Sequence, residues 1–436
     1  MRKIINVLVV IIFIVCVIYY FGIDFNKVLS GLKPGNNSST GNADKTEVVN
    51  NSTVNMPAIN TSLNDIKKVY DILLKFIINQ KKDKSLVESF KNGDQNLNGR
   101  SYITDNALSA ILLTNEKDQA CKDAALDILK NISKIQNSDG SWYDFYDTSG
   151  KVAVVSGKEY KQSSTGNNAL LLYAYSYYSI AAKDNQFMDV MKKSAGFIKS
   201  TWDGKSNMLP ENKNTQKGVY TVKSNAYSYF GLSEYALSAI LEDYSEYKDK
   251  MYLAGKIASW IGSSLKKDTF ITSYDGKNTV NLIDLDSQTL GALVLKASHQ
   301  DARLKYTSKE YESNLAKLYK KQDTLEGYKI NEEAKNSLYI WWEGTCKVPL
   351  ALTKYGDSKK SIDSASYIKK LFSDSGDTIK GIPLNSMLDK DKKINKTESI
   401  SSSAWFGLAY QCMNDSTINS MVFGNEEDTF QHVKKQ

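Results

Sequence analysis

Histidine is scarce in this sequence. The 436 residues include two, His299 and His432, and neither falls in a segment that the patterns below place at a candidate site. A Ser-His-Asp triad and a His-rich zinc site both require histidine beside the other reacting groups. Those two kinds of site are therefore excluded. The sequence predicts no metal and no cofactor, and it disfavours reactions that rely on a histidine base.

Cysteine and other signature patterns are also sparse. Cys16 lies in an apolar N-terminal run, and Cys121, Cys346 and Cys412 show no C-x-x-C spacing, so we expect small buried thiols and no disulfide framework. There is no glycine-rich phosphate loop. The formal net charge is +7, carried by lysines spread among acids. Without a basic stripe, nucleic-acid binding is not expected.

The N-terminus predicts a membrane anchor. Arg2 and Lys3 precede an uncharged run that is long enough to cross a hydrocarbon core, and no A-x-A-like cleavage site follows. We expect residues 1–23 to be an uncleaved single-pass signal anchor, with its positive end in the cytoplasm. Residues 24–60 are rich in Asn, Ser, Thr and Gly and predict a disordered linker. The remainder is then expected outside a bacterial cell membrane.

An internal repeat of about sixty residues organises the rest of the chain. In each copy a short polar stretch leads into a helix rich in Ala, Leu and Tyr, and equivalent positions are separated by 57 to 62 residues. The copies are "YITDNALSAILL" around Asp105, "SSTGNNALLLYAYSYY" around Asn167, "VKSNAYSYFGLSEYAL" around Asn225, "IDLDSQTLGALVL" around Asp286, "WWEGTCKVPLAL" around Glu343 and "SISSSAWFGLAY" around Ala404.

Amphipathic helices alternate with these apolar ones. Their apolar residues recur at i, i+3 and i+4, which predicts one buried face and one exposed face. We expect them at 62–80, 123–135, 189–200, 246–265, 308–321 and 359–372. Six apolar inner helices alternating with six outer ones close most simply into an all-α (α/α)6 toroid. We expect it to span residues 61–415, followed by a polar C-terminal tail at 416–436.

Several phrases, in this order and at this spacing, resemble the six-hairpin glycosidase superfamily. They are "YITDNAL", "IQNSDGSWYDFYD", "STGNNA", "LDSQTLGAL", "WWEGT" and "SSSAWFGLAY". The resemblance covers roughly residues 61–415 and implies the same toroid. The fold hosts hydrolases, lyases, epimerases and terpenoid cyclases, so it does not by itself fix the activity. Related sequences often carry an acidic residue and a histidine where this chain has "KSNAYSY" at 223–229.

Three acids are the predicted catalytic residues. In a closed ring all inner helices enter with the same polarity, so their N-termini should line one funnel. Glycoside hydrolysis needs a carboxylic acid and a second carboxylate. Glu343 follows two tryptophans that would desolvate it and raise its pKa, so we predict that it is the general acid. Asp105 is the predicted base, and Asp286 is its partner or a substrate ligand. Each could alternatively be a helix cap.

The funnel also offers residues that could bind sugar, because sugar rings stack on aromatic faces and hydrogen-bond to polar groups. The predicted substrate-binding residues are Trp142, Trp341, Trp342, Trp405, Asp284, Asn167, Asn225 and Tyr227. The tryptophans could equally be core residues. We therefore predict a membrane-anchored, inverting glycoside hydrolase that acts on a polysaccharide. The sequence does not indicate an oligomeric state.

Three alternatives remain open. The loss of an acid in the third repeat favours a noncatalytic glycan-binding or assembly protein of an exopolysaccharide or cell-wall system. A lyase or epimerase would need Tyr227, Tyr229 or Lys223 as its base. "QNSDGSW" at 136–142 matches a terpenoid-cyclase motif, but "IDLDSQ" lacks the second consecutive Asp of D-x-D-D. We expect the former motif to serve outer-helix packing.

Overall fold

The computed structural model describes residues 62–94, 96–212, 218–240, 243–333, 339–386 and 397–434. The predicted anchor at 1–23 and the predicted linker at 24–60 lie outside these ranges. Within them, no helix combines the length and the apolar character that a membrane span requires.

The inner helices begin at each repeat, as the sequence predicts, and they are buried on nearly every side. In chain order they are α2 Ile103–Thr114, α4 Thr165–Ala182, α6 Val222–Ala239, α8 Leu285–Ala297, α11 Trp342–Lys354 and α13 Ile400–Asn414. A helix with no polar face has to be surrounded by protein.

The outer helices have one buried face each. They are α1 Leu63–Lys81, α3 Gln119–Ser133, α5 Met188–Ser200, α7 Tyr244–Ser264, α10 Ser308–Leu318 and α12 Ser358–Ser375. Acidic or hydroxyl side chains cap the starts of five of these six helices, all except α5. Ser62 and Asp65 form a capping box at α1, and Asp118, Asp243, Thr307 and Asp357 cap α3, α7, α10 and α12.

The inner helices form a closed ring. Each packs against the next along the chain, and α13 packs against α2. Helix α1 packs against α13, so the first outer helix belongs to the last hairpin. The predicted all-α (α/α)6 toroid is confirmed for the described residues.

Short antiparallel strands precede the inner helices at the funnel end and connect the hairpins. They are β1 Phe90–Lys91, β2 Arg100–Tyr102, β3 Phe145–Asp147, β4 Val154–Val155, β5 Lys158–Glu159, β6 Tyr220–Thr221, β7 Leu265–Lys266, β8 Thr269–Phe270, β9 Ser273–Tyr274, β10 Thr279–Val280, β11 Tyr319–Gln322, β12 Leu325–Tyr328, β13 Ile382–Pro383 and β14 Glu398–Ser399. Strands β2 and β3 pair with Tyr102 opposite Phe145. Strand β14 joins β1 to β13 and so links the two ends of the ring.

A repeated side-chain clip fixes each connection to its inner helix. In α6, the Asn225 amide accepts from the Leu209 N–H at 2.7 Å and donates to the Leu209 carbonyl at 2.9 Å. Asn168 and Gln288 make the same pair of bonds in α4 and α8. In α2, α11 and α13, a backbone N–H of the connection donates to Asn106, Thr345 and Ser403, respectively. Each clip satisfies a buried backbone group that would otherwise be costly. Asn225 is fully buried, so its predicted role in substrate binding is wrong.

The segment "QNSDGSW" serves outer-helix packing, as predicted. Gln136 donates to the Val190 carbonyl of α5 at 3.0 Å, and the Trp142 indole donates to the Ile132 carbonyl of α3 at 2.9 Å. Trp142 is fully buried and stacks on Tyr175. The ring therefore has no face for a sugar, and the predicted substrate contact of Trp142 is wrong.

The C-terminal segment is not a polar tail, which corrects the predicted domain boundary at residue 415. It forms α14 Ser416–Met421 and α15 Glu426–Lys434, and α15 packs against α6. Between them Phe423 is buried and stacks on Tyr173 and Trp405. The Tyr173 hydroxyl accepts from the Phe423 N–H at 2.7 Å. These contacts make the segment part of the toroid core. The remaining helices are α9 Gln300–Leu304 and a 3-10 turn at Gly376–Thr378.

Candidate active site

Side chains from five of the six inner helices meet where those helices begin. Lys223 comes from α6, Asp286 from α8 and Lys347 from α11, and the three are joined by ion pairs. Asp105 of α2 lies close enough to Glu343 of α11 for the two charges to interact. The Trp405 ring of α13 faces the Lys347 ammonium group. The predicted convergence of polar tips is therefore present.

Lys347 is the centre of the cluster, and sequence reasoning missed it. Its ammonium group donates to Asp286 Oδ1 and to Glu343 Oε1, both at 2.7 Å. It also lies 5.1 Å from the Trp341 ring centroid and 5.2 Å from that of Trp405. The side chain is completely buried, so two carboxylates and two aromatic faces replace its hydration. The sequence did contain a signal, because a Glu and a Lys four residues apart interrupt an otherwise apolar helix.

Asp286 is held ionised from two sides. Its Oδ1 accepts from Lys347, and its Oδ2 lies 2.8 Å from the Lys223 ammonium group. Burial opposes ionisation of this carboxyl, but the two positive charges outweigh it and lower the pKa of Asp286 to about 2. Asp286 is not the cap of α8, because Asp284 fills that position.

Close packing of two inner helices brings these groups together. A Cβ at Gly344 would collide with the side chains of Leu285 and Trp341. Glycine therefore lets the start of α11 approach the start of α8. That approach places Glu343 and Asp286 around one lysine.

Asp105, unlike Asp286, is a buried carboxyl that forms no ion pair with a lysine in the described part of the chain. It is 4% exposed, and it does not cap α2, which begins after Tyr102 without a side-chain cap. Burial and, to a smaller extent, the nearby Glu343 charge raise the pKa of Asp105 to about 7, against a hydrogen bond from Ser89 that lowers it. Asp105 is thus a carboxyl that remains protonated up to neutral pH.

Glu343 differs from the sequence-based expectation. We expected two tryptophans to desolvate it and keep it protonated, but its carboxylate accepts from the Lys347 ammonium group. Its side chain is 20% exposed, so water or a ligand can reach it. Of the two acids, Asp105 is the buried one with a raised pKa, and it is therefore the one suited to hold a proton.

The predicted substrate-binding residues fall into two groups. Trp342 and Trp405 are completely buried, so neither offers a face to a sugar, and Asp284 caps α8 by accepting from the Ser287 N–H at 2.9 Å. These three are structural. Trp341 is half-buried beside Lys347, so part of its ring is accessible at the site.

The other two predicted substrate-binding residues, Tyr227 and Asn167, have different surroundings. Tyr227 is buried among the charges of Lys223, Lys347, Asp286 and Glu343, and burial raises its pKa. It lies at the site, as predicted. Asn167 is half-buried and donates to Asp144 Oδ1 at 3.0 Å, so its amide already has a protein partner.

In the described ranges between residues 62 and 434, no group of three His, Cys, Asp or Glu side chains is arranged to hold an ion. His299 is exposed at the far end of α8, away from the site, as expected.

The fold resembles solved sugar-processing enzymes at low sequence identity. Cellobiose 2-epimerase from Bacillus thermoamylovorans matches with a TM-score of 0.62 at 12% identity, over 81% of this chain and 99% of that one. A glycosidase in complex with glucose matches with a TM-score of 0.60 at 10% identity, over 80% and 97%. A D-mannose isomerase matches with a TM-score of 0.58 at 12% identity, over 81% and 98%.

Comparison by sequence finds no relative of this chain. No protein-family model matches the chain, and no curated protein matches it by sequence. The structural likeness nevertheless confirms the fold that the sequence motifs predict. The described part of the chain folds as an (α/α)6 toroid, and solved glycosidases and sugar epimerases share that fold.

Proposed function

We propose that this protein is a glycoside hydrolase that acts on a polysaccharide outside the cell membrane, where the predicted N-terminal span would hold it. The observation that carries the proposal is the pairing of Asp105 with Glu343. The two carboxyls interact, yet one is buried and protonated up to about pH 7 and the other is ion-paired. Hydrolysis of a glycosidic bond needs one carboxyl in each state.

The geometry supports a division of roles opposite to the one predicted from sequence. Asp105 is the general acid that protonates the leaving oxygen. Glu343 is the base that takes a proton from the attacking water. Asp286 binds both lysines and thereby positions Lys347, which in turn orients the Glu343 carboxylate. Lys223 contributes a second charge that keeps Asp286 ionised.

Inverting stereochemistry remains part of the proposal. The acid and the base come from the first and fifth inner helices, and the sixth lies between them in the ring. Such a separation favours room for a water molecule on the face opposite the leaving group. The anomeric configuration of the first-formed product, read by NMR, would distinguish inversion from retention.

A sugar substrate is supported by the half-buried Trp341 ring at the edge of the cluster, because aromatic faces suit the C–H faces of sugars. The names of the similar structures point to the same substrate class, since they include a glycosidase bound to glucose and a cellobiose epimerase. A polymeric substrate would suit an enzyme placed outside the cell.

A second candidate is a noncatalytic glycan-binding protein. Both oxygens of Asp286 are occupied by lysines, and Lys223 stands in the repeat where related sequences often carry an acid. A carboxylate fixed in this way cannot act as a base. Under this alternative the cluster would be a structural ion-pair network beneath a sugar-binding surface.

The test is release of new reducing ends from a panel of bacterial surface polysaccharides. We expect activity in the full-length protein and a loss of roughly 10²- to 10⁴-fold in Glu343→Gln, the range for removing a general base. Glu427→Gln is a matched control, because Glu427 is exposed on α15. Binding without release would support the noncatalytic candidate. Altered sugars without new reducing ends would support an epimerase.

A further inference from the structure

Arg100 is a positive charge without an acidic partner beside the active site. The chain has three arginines among its 56 basic residues, and Arg100 lies in β2, the strand that leads into α2. Within the described ranges, no carboxylate forms an ion pair with its guanidinium group. Lys223 and Lys347, by contrast, are both paired with acids.

The acids near Arg100 are already engaged elsewhere. Asp147, its partner across the β2–β3 ladder, accepts from Ser149 and from the Lys151 N–H at 2.9 Å. Asp144 accepts from the Ser164 N–H and hydroxyl, both at 2.8 Å, and from Asn167. These bonds engage both oxygens of Asp144 and Oδ1 of Asp147. Neither carboxylate forms an ion pair with the Arg100 guanidinium group.

The guanidinium group of Arg100 lies against an aromatic ring that contacts two further aromatic rings. The Arg100 guanidinium carbon lies 4.8 Å from the Phe145 ring centroid. Phe145 also stacks on Tyr160 with a centroid separation of 4.2 Å and contacts Tyr102 at 4.9 Å. Tyr102 and Tyr160 are half-buried, so parts of their rings face outward. We call Arg100, Tyr102, Phe145 and Tyr160 the Arg100 platform.

The Arg100 platform lies on the strand that leads directly into the helix carrying Asp105. Residues two apart on a strand share a face, so Arg100 and Tyr102 lie together, while Ser101 between them is buried and accepts from the Asn106 clip. Tyr102 is the last residue before α2, and Asp105 is three residues further along. The platform is therefore continuous with the wall that carries Asp105.

We propose that the Arg100 platform is a subsite for an acidic sugar, with Tyr102 and Tyr160 contacting the ring and Arg100 binding its carboxylate or sulfate group. A planar guanidinium matches both anions with two parallel hydrogen bonds, and aromatic faces suit the sugar ring. This inference rests on the proposed function and names its substrate class: an acidic polysaccharide, with a charged residue placed next to the cleaved bond.

Binding is the direct test, because it does not depend on turnover. Dissociation constants of the full-length protein would be measured by calorimetry for hexagalacturonate, a sulfated carrageenan hexasaccharide and cellohexaose. We expect Arg100→Gln to weaken binding of at least one anionic hexamer by roughly tenfold or more, the scale of a lost charge-assisted pair. Cellohexaose binding should not change. The hexamer affected identifies the anion as a carboxylate or a sulfate.

Two further variants sharpen the result. Arg100→Lys should recover part of the affinity, because it keeps the charge but loses the planar fork. Arg303→Gln is the matched control, since Arg303 is exposed at the other end of the toroid, where it bonds Gln300. If the wild type binds neither anionic hexamer, or if Arg100→Gln binds them as the wild type does, the subsite is overturned.

The subsite and the hydrolase can fail separately. Arg100-dependent binding without release of reducing ends would retain the subsite and reject hydrolysis. If release of reducing ends requires Glu343 but is unaffected by Arg100→Gln on every anionic substrate, hydrolysis is retained and the subsite is rejected.

Discussion

Replacing Asp105 with Asn is expected to reduce release of reducing ends by roughly 10²- to 10⁴-fold while the protein stays folded, because general acid catalysis contributes on that scale. Asn has the same shape and can keep the hydrogen bond with Ser89, but it cannot give a proton to a leaving oxygen. The loss should therefore appear in kcat with little change in binding of an uncleaved sugar.

The control for this experiment is Asp189→Asn, which removes a carboxylate exposed on outer helix α5. It should have wild-type activity. Thermal unfolding of both variants would confirm that each is folded. Full activity in folded Asp105→Asn would remove the proposed general acid and, with it, the assignment of roles.

Replacing Lys347 with Met is expected to lower the free energy of unfolding by about 3–5 kcal/mol, as other changes that break a buried ion pair do. Met fits the volume of the stem, but Asp286 and Glu343 would each lose a partner at 2.7 Å. Urea unfolding followed by circular dichroism measures the loss. Adding Asp286→Asn to this variant should restore part of the stability, because it removes a buried charge left with Lys223 alone.

Lys296→Met is the matched control for the lysine change. Lys296 forms an ion pair with Asp301 near the far end of α8, and its side chain is 43% exposed. Exposed pairs contribute about 0–1 kcal/mol. Equal losses in the two variants would mean that Lys347 is not the centre of a buried network.

The fold was predictable because one signal repeats six times. A period near sixty residues, with apolar and amphipathic helices in alternation, leaves few arrangements other than a closed ring. The C-terminal boundary was missed because the composition after residue 415 is polar. The apolar triplet Met421, Val422 and Phe423 was the available signal, and its partner Tyr173 lies some 250 residues earlier.

The site was predictable in location but not in chemistry. A position at the start of an inner helix places Asp105, Asp286 and Glu343 at the funnel without any knowledge of their neighbours. The protonation of Asp105 and of Asp286 depends on groups from other hairpins. The Glu343 charge of α11 helps raise the pKa of Asp105, and Lys223 of α6 and Lys347 of α11 lower that of Asp286.

The burial of the two adjacent tryptophans was also not predictable from the sequence. Trp341 and Trp342 are adjacent in sequence, yet one is half-buried at the site and the other is sealed in the core. Successive residues at the start of a helix point in directions about 100° apart, so adjacency says little about a shared environment. Only the packing of α11 against α8 determines which ring faces the funnel.

The pH dependence of kcat/KM on a cleaved polysaccharide tests the central claim most directly. Asp105 acts in its protonated form, and its pKa is raised from 3.8 to about 7 in the folded protein. Activity should therefore be retained up to neutral pH and fall as the pH rises through about 7, by roughly tenfold for each further pH unit. A rate that stays level from about pH 6 to pH 9 would contradict an account in which a buried, protonated Asp105 gives up the proton that cleaves the bond.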